Sequence, residues 1–167
     1  MKITKAHYGM TIVEMMLALV ILAMLMTAVA IAFDASVKNY QDNEALYKSV
    51  NTARAALMRI TNDIRTAQAV AVIGAGGDPD NSQCSLNPAS GGDITYRFDS
   101  GSGILYLVDN IASQNYVLCR NITAMAFDRP VDTPIRNVRI TMTVTDDNGE
   151  LPQSLAVGAV VRKNVQH

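Results

Sequence analysis

The chain of 167 residues carries 14 Lys+Arg against 15 Asp+Glu, which gives a net charge of -1 at pH 7, and 49% of its residues are hydrophobic. This length allows one domain with its own core beside a membrane segment, and the near-neutral charge without a long basic run argues against a nucleic-acid partner. The two histidines, His7 and His167, have no neighbouring ligand set, so neither a metal site nor a histidine-based enzyme is expected, and no cofactor is indicated.

An apolar run of 24 residues extends from Met10 to Phe33 without Gly or Pro. Its polar members are few, namely Thr11, Glu14 and Thr27. As a helix with a rise of about 1.5 Å per residue, the run would span about 36 Å, which is enough for a hydrocarbon core of about 30 Å. It therefore predicts a transmembrane helix over residues 10–33.

Charges flank this run asymmetrically. Lys2 and Lys5 lie before it, and Asp34 follows it. Because positive charges favour the cytoplasmic side of a membrane, we expect the N-terminus in the cytoplasm and the residues after Phe33 outside, in the periplasm or the extracellular space. The prediction is a single-pass membrane protein whose head lies outside the cytoplasm.

A glycine separates the short basic leader from the apolar run. Ordinary secretory signals place their cleavage site after the apolar stretch, whereas here the candidate junction, Gly9-Met10, precedes it. The segment from Gly9 to Glu14, with the sequence GMTIVE, resembles the prepilin cleavage and N-methylation motif of type IV pilins and pseudopilins. This resemblance covers residues 5–33 and depends on the glycine junction, the position of the glutamate and the uninterrupted apolar helix. It implies that the anchor lies in the inner membrane and the head in the periplasm.

The resemblance implies roles for three residues. A prepilin peptidase would cleave after Gly9, remove the leader 1–9 and methylate the new amine of Met10, which stands where Phe is common in the family. Glu14 would then pair with this amine, its own or that of a neighbouring subunit, and guide filament assembly. A carboxylate in a membrane helix costs on the order of 2.5–3.5 kcal/mol on insertion scales, so a partner is expected. The alternative is that Glu14 lies in the interfacial layer of a simple anchor.

An amphipathic segment, residues 34–73, follows the anchor. Its apolar residues recur at alternating three- and four-residue intervals, with charged and polar residues between them. This stripe consists of Leu46, Val50, Ala53, Leu57, Ile60, Ile64, Ala67 and Ala71. Because no Gly or Pro occurs from Met10 through Ile73, the pattern predicts one helix that continues from the membrane span through Ile73 and packs on a sheet of its own domain. A coiled coil is the alternative.

The segment 74–92 is rich in Gly, Pro, Asn, Asp and Ser, and it predicts a surface loop that ends the helix. The glycines at 74–77 resemble the start of a dinucleotide-binding fingerprint, but Pro79 occupies the place of the third glycine. Residues 78–82 offer oxygen ligands without the glycine and closing glutamate of an EF-hand loop. Solvated turns are therefore favoured over a calcium site there or at residues 146–147.

Strand-like stretches with alternation or β-branched enrichment follow, and they predict a mainly antiparallel head over residues 74–167. These stretches are Ile94 to Phe98, Ile104 to Val108, Tyr116 to Cys119, Ile122 to Phe127, Val138 to Thr145 and Leu155 to Val161. Turns are predicted at residues 99–103 and 147–149. The predicted fold is α+β and pilin-like, with a long N-terminal helix, membrane-spanning in its first half, packed on an antiparallel β-sheet head.

The only two cysteines, Cys84 and Cys119, fall in the predicted head. In an oxidising compartment they predict a disulfide that closes a loop of about 36 residues, worth roughly 3–4 kcal/mol in the chain-entropy model. Two free thiols are the alternative. Catalytic use of either cysteine is not expected, because no internal histidine is available to activate it.

Further features resemble a subtype of the family. The second cysteine stands 48 residues before the last residue, and the anchor lacks the proline frequent in major pilins. Residues 52–67 and 155–164 resemble the J-type minor pseudopilins of type II secretion and the related W-type minor pilins. The implied role is to form the filament tip and prime assembly, without chemistry. The implied partners are prepilin peptidase, other minor and major pilins or pseudopilins, and an inner-membrane assembly platform.

Other functions remain open at this point. A minor pilin of a type IV pilus or of a DNA-uptake filament would share all of these features. A membrane-tethered periplasmic binding module would keep residues 1–9 and would not need Glu14. An anchored enzyme would need a cluster of reactive side chains, which the sequence does not offer.

Overall fold

The computed structural model describes residues 9–73, 82–88, 91–128, 137–146 and 148–161. These residues belong to two compact units, Met1–Gln41 and Asp42–His167. One helix, α1 (Ile12–Thr66), contributes to both units, and all described strands belong to the second.

The first unit consists of the N-terminal part of α1, and none of its described side chains is buried. Each of its large apolar side chains between Met10 and Phe33 is at least 50% exposed. Within the described residues, one helix is long and apolar enough to cross a membrane, and it is this one. A single N-terminal apolar helix of this kind fits a single-pass membrane anchor.

The C-terminal part of α1 buries one face. The buried residues are Ala53, Ala56, Leu57, Ile60, Thr61 and Ile64. Their spacing of three and four residues places them on one side of the helix, as predicted. This part of α1 therefore supplies the helical half of the core of the second unit.

Eight strands form two sheets, and every pairing is antiparallel. The five-stranded sheet has the order β1-β2-β3-β4-β5 and the three-stranded sheet has the order β6-β7-β8. The strands are β1 (Ala67–Ile73), β2 (Gln83–Pro88), β3 (Ile94–Asp99), β4 (Ile104–Asp109), β5 (Gln114–Cys119), β6 (Ile122–Asp128), β7 (Asn137–Val144) and β8 (Gln153–Val160). The predicted α+β architecture, a long N-terminal helix with antiparallel sheets, is confirmed.

The two sheets and the C-terminal part of α1 share one core. In β7 the buried residues alternate with exposed or half-buried ones, since one face of the strand packs inward. The larger buried side chains from the strands include Leu86, Tyr96, Phe98, Leu105, Phe127, Ile140 and Met142. The core is thus built from period-two faces of the strands and the apolar stripe of the helix.

A partly buried hydrogen bond joins the helix to the sheet at the margin of this core. The hydroxyl of Tyr96 on β3 donates to Oδ2 of Asp63 on α1 at 2.5 Å. Arg59 lies one turn earlier, with Nε 3.9 Å from the same Asp63 oxygen. Burial, followed by the neighbouring Asp63 carboxylate, raises the pKa of Tyr96 above its ordinary range. The hydroxyl therefore stays protonated and keeps donating throughout the physiological pH range.

The prediction that the helix continues through Ile73 is wrong. α1 ends at Thr66, and Ala67–Ile73 forms β1, which pairs with β2. The segment AQAVAVI fits two patterns. Ala67 and Ala71 continue the helical stripe, whereas Val70 and Val72 alternate with more exposed residues as in a strand. Its β-branched Val70, Val72 and Ile73 favour an extended backbone once a partner strand is available.

The predicted loop 74–92 also contains a strand that was missed. Gln83–Pro88 forms β2, with Cys84 and Leu86 buried on one face. Polar residues and Pro88 mask the strand signal, yet the two buried residues alternate with more exposed ones as in any half-buried strand. Residues 74–81, with the glycine-rich stretch and most of the possible oxygen ligands, lie outside the described part of the chain.

The predicted hairpin at residues 99–103 is confirmed, since β3 pairs with β4. Gly103 has a φ of +64°, and a Cβ there would lie 2.9 Å from the carbonyl oxygen of Ile122. The amide of Ile122 donates to the carbonyl of Gly103 at 3.0 Å. The turn therefore needs glycine both for its left-handed backbone and for this close approach to the start of β6.

Candidate processing and assembly site

The predicted cleavage junction lies immediately before the first helical turn. Gly9 and Met10 are exposed, and α1 begins at Ile12. No described atom lies within 4 Å of the position that a Cβ of Gly9 would occupy. The described chain therefore gives no steric reason for glycine at this position, so a requirement for it would come from a molecule that recognises the junction.

Thr11 caps the helix directly after this junction. The backbone amide of Glu14 donates to Oγ1 of Thr11 at 3.3 Å, and the amide of Met15 donates to the carbonyl of Thr11 at 3.2 Å. A threonine in this position satisfies an amide that the helix itself cannot satisfy. The helix start, and with it the position of the first-turn side chains, is thereby defined by Thr11.

Glu14 is the acidic residue of the first turn. The aligned peptide dipoles place partial positive charge at a helix N-terminus, and a carboxylate there is stabilised by it. A free amine on Met10 would add positive charge at the same end of the helix. The first turn thus places the carboxylate of Glu14 on the element that would also carry a processed N-terminus.

The sequence contains a signal for this arrangement that was not used. Thr11 and Glu14 form the Thr-x-x-Glu pattern of a capping box, which marks a helix N-terminus. Recognising the pattern would have placed the helix start at Ile12, two residues after the junction. Of this pattern the structure shows the bond from the amide of Glu14 to the hydroxyl of Thr11.

The structure does not bring the two cysteines together. Cys84 lies on β2 and Cys119 on β5, and both are free and buried. Strands β3 and β4 separate them, which amounts to three inter-strand steps of about 4.8 Å along the sheet, whereas a disulfide needs Cα atoms within about 7 Å. The predicted Cys84–Cys119 disulfide is therefore wrong for this fold, and the alternative of two free thiols describes it.

Both thiols are poor nucleophiles. Burial raises the pKa of Cys84 to about 12 and also raises the pKa of Cys119. Because the thiolate is the reactive form, neither side chain is activated for catalysis at neutral pH. Cys84 and Cys119 act as small apolar residues of the core.

The acidic turn after β7 uses its carboxylate internally. Oδ1 of Asp146 accepts the backbone amides of Glu150 at 2.7 Å and Leu151 at 3.4 Å. Burial alone would raise the pKa of Asp146, but these and neighbouring amide donors hold it below its ordinary value. Among the residues described, no group of three or more His, Cys, Asp or Glu side chains is placed to hold a metal ion. Asp146 is best understood as the residue that organises this turn.

Comparison with known proteins gives a match at the N-terminal segment that contains the Gly9-Met10 junction. Residues 4–30 match the family model described as the prokaryotic N-terminal methylation motif. Searches of curated proteins and of solved structures gave no significant match. The motif implies processing by a prepilin peptidase and assembly with other pilins. The match is confined to the N-terminal motif, and the long N-terminal helix with an antiparallel head is the architecture that the pilin-like resemblance of the sequence implies.

Proposed function

We propose that this chain is a minor pseudopilin of a type II secretion system, cleaved after Gly9, methylated on Met10 and assembled at the tip of a pseudopilus. The observation that carries the proposal is the junction itself. An unobstructed glycine precedes a capped helix, and that helix has a first-turn glutamate and an apolar surface that the chain leaves exposed.

The membrane orientation follows from charge. Lys2 and Lys5 precede the apolar helix, so residues 1–9 stay in the cytoplasm, where the peptidase acts, and the head reaches the periplasm. The inner membrane holds the subunit until assembly. The assembly platform and the other minor and major pseudopilins then receive it into the filament.

Glu14 serves assembly more than anchoring. Its carboxylate lies in the membrane-spanning helix, where an unpaired charge is costly, and the methylated amine of Met10 in the same or a neighbouring subunit offsets that cost. The role is mechanical and needs no catalytic group. A Glu14→Ala chain is therefore expected to be cleaved normally and to enter the filament poorly, whereas a Gly9→Val chain keeps its leader.

Gene deletion with plasmid complementation tests which filament system the chain belongs to. Secreted enzymes should accumulate in the periplasm of the deletion strain while surface pili persist, and the plasmid copy should restore secretion. Loss of pili or of DNA uptake with normal secretion would instead identify a minor pilin. A cell that keeps both processes would point to a membrane-tethered binding module.

A further inference from the structure

Strand β8 is an unusually open edge of the head. It pairs with β7 through eight consecutive residue pairs without a register shift. The other three edge strands of the described sheets, β1, β5 and β6, each have an irregularity in their pairing. Proteins commonly protect sheet edges with bulges, charges or prolines, and the sequence of β8, QSLAVGAV, has none of these.

A groove of about 500 Å³ runs along this edge, between β8 and the C-terminal part of α1. On the strand it is lined by the consecutive residues Leu155, Ala156 and Val157. Because neighbouring side chains of a strand point to opposite faces, a groove lined by all three follows the strand edge itself. The backbone groups of alternate β8 residues therefore point toward this side.

The helical wall of the groove contains a polar group that lacks a partner. Thr61 is 6% exposed, and its Oγ1 is buried without a hydrogen-bond partner within the described part of the chain. Met58, in contrast, is 73% exposed beside it, although it is a large apolar side chain. A buried hydroxyl without a hydrogen bond and an exposed apolar side chain are both stabilised when another molecule covers the groove.

Two arginines give the groove its charge. Arg54 and Arg65 line it, and neither forms an ion pair with a residue that the structure describes. The nearest pairs on the helix are Lys48 with Glu44 and Arg59 with Asp63. The groove therefore presents positive charge, which favours a partner with a carboxylate.

We propose that the β8 edge and this groove bind an extended strand of another protein that carries a carboxylate side chain. The strand adds to the β6-β7-β8 sheet, its apolar side chains cover Met58 and Leu155, and its carboxylate pairs with Arg54 or Arg65. The last residues of the chain are a poorer occupant, because Arg162 and Lys163 carry the same charge as the groove. This binding does not depend on entry into a filament.

The test uses the full chain in detergent micelles and three labelled hexapeptides of alternating valine and threonine. One peptide has a central glutamate, one has lysine in its place, and one has the glutamate with alternate backbone nitrogens methylated. Fluorescence anisotropy measures affinity, and amide hydrogen exchange of β8 reports the site. We expect the glutamate peptide to bind at least about tenfold more tightly than the lysine peptide, the methylated peptide not to bind, and β8 amides to become protected.

Charge reversal makes the test independent of folding defects. The double variant Arg54→Glu, Arg65→Glu should prefer the lysine peptide, a gain that an unfolded chain cannot show. Arg120→Glu, an exposed arginine between β5 and β6, is the matched control and should keep the original preference.

Six outcomes would overturn the proposal. The first four are absence of glutamate-peptide binding, equal binding of the methylated peptide, a preference that ignores the charge reversal, and binding without protection of β8. Protection of β8 that rises with protein concentration alone would make a second copy the occupant. Binding only after removal of residues 162–167 would make the chain's own end the occupant, and the proposal would fail in both cases.

Discussion

The two parts of α1 belong to one helix but bury their apolar residues in different ways. In residues 12–41 no side chain is buried, although the run is almost wholly apolar. In residues 42–66 six side chains are buried in a core shared with both sheets. The second part is explained by the chain's own packing, whereas the first leaves an exposed apolar surface of the kind that marks a membrane or protein interaction site.

The largest expected effect is a difference in the free energy of unfolding when the same substitution, isoleucine to alanine, is made in each of the two parts. Ile60→Ala removes a fully buried side chain and should lower the free energy of unfolding of the head by about 2–5 kcal/mol. Ile21→Ala removes the same atoms from a side chain that is 51% exposed and should leave it unchanged. Urea unfolding of the full chain in detergent, followed by near-ultraviolet circular dichroism, measures both. Equal losses would show that the first part also packs on the head.

A turn of the head gives the next effect. Gly103→Ala should cost up to about 3 kcal/mol, because the left-handed backbone is unfavourable for alanine and the new Cβ meets the carbonyl of Ile122. Gly149→Ala is the matched control. Gly149 also has a positive φ, +78°, but no described atom lies within 4 Å of its Cβ position, so its cost should be nearer 1 kcal/mol. The same unfolding measurement compares the two, and a larger loss for Gly149→Ala would contradict the close approach.

A smaller effect tests how the second part of α1 is joined to the sheet. Tyr96→Phe removes the hydroxyl that donates to Asp63 and should cost about 0.5–1.5 kcal/mol. Asp63 remains beside Arg59, which limits the loss. Tyr116→Phe is the control, since its hydroxyl donates at 2.6 Å to Gln114 on the same strand and joins no two elements. A loss for Tyr116→Phe as large as for Tyr96→Phe would argue against a specific helix–sheet bond.

The smallest effect depends on pH. The folded-state pKa of Asp146 is lowered, so its stabilisation is present above the unfolded pKa of about 3.9 and is lost as the pH falls through the folded pKa. Asp146→Asn should therefore lower the melting temperature at pH 7, and the difference from the unaltered chain should narrow below about pH 4. Melting curves across this range measure it. A difference independent of pH would mean that the charge of Asp146 does not matter.

Strong local patterns made much of the fold predictable. The six predicted strands all occur. In β7, for example, the buried residues Val138, Ile140 and Met142 alternate with more exposed residues, which is the pattern of a strand with one face in the core. The stripe around Leu57 and Ile60 was also predictable, because its apolar residues recur every three or four positions, and the structure buries this face on the sheets of its own domain. The junction at Gly9 was visible because its position before the apolar run is unusual.

The remainder depended on contacts between distant residues. Ala67–Ile73 became a strand because β2 pairs with it, and the sequence of β1 alone fits a helix as well. Cys84 and Cys119 looked like a natural pair only while the strand order was unknown. The bond from Tyr96 to Asp63 joins residues 33 positions apart and has no local signal.

The exposed first part of α1 is, in our proposal, an anchor processed at Gly9. The intact mass of the chain is the most direct test of this processing. The chain is extracted from membranes of cells with an active prepilin peptidase. We expect the mass to lack residues 1–9 and to include one added methyl group, while Gly9→Val, which disturbs no described contact, keeps the leader. A mass that retains residues 1–9 in the unaltered chain would contradict processing at Gly9 and the role proposed for the anchor.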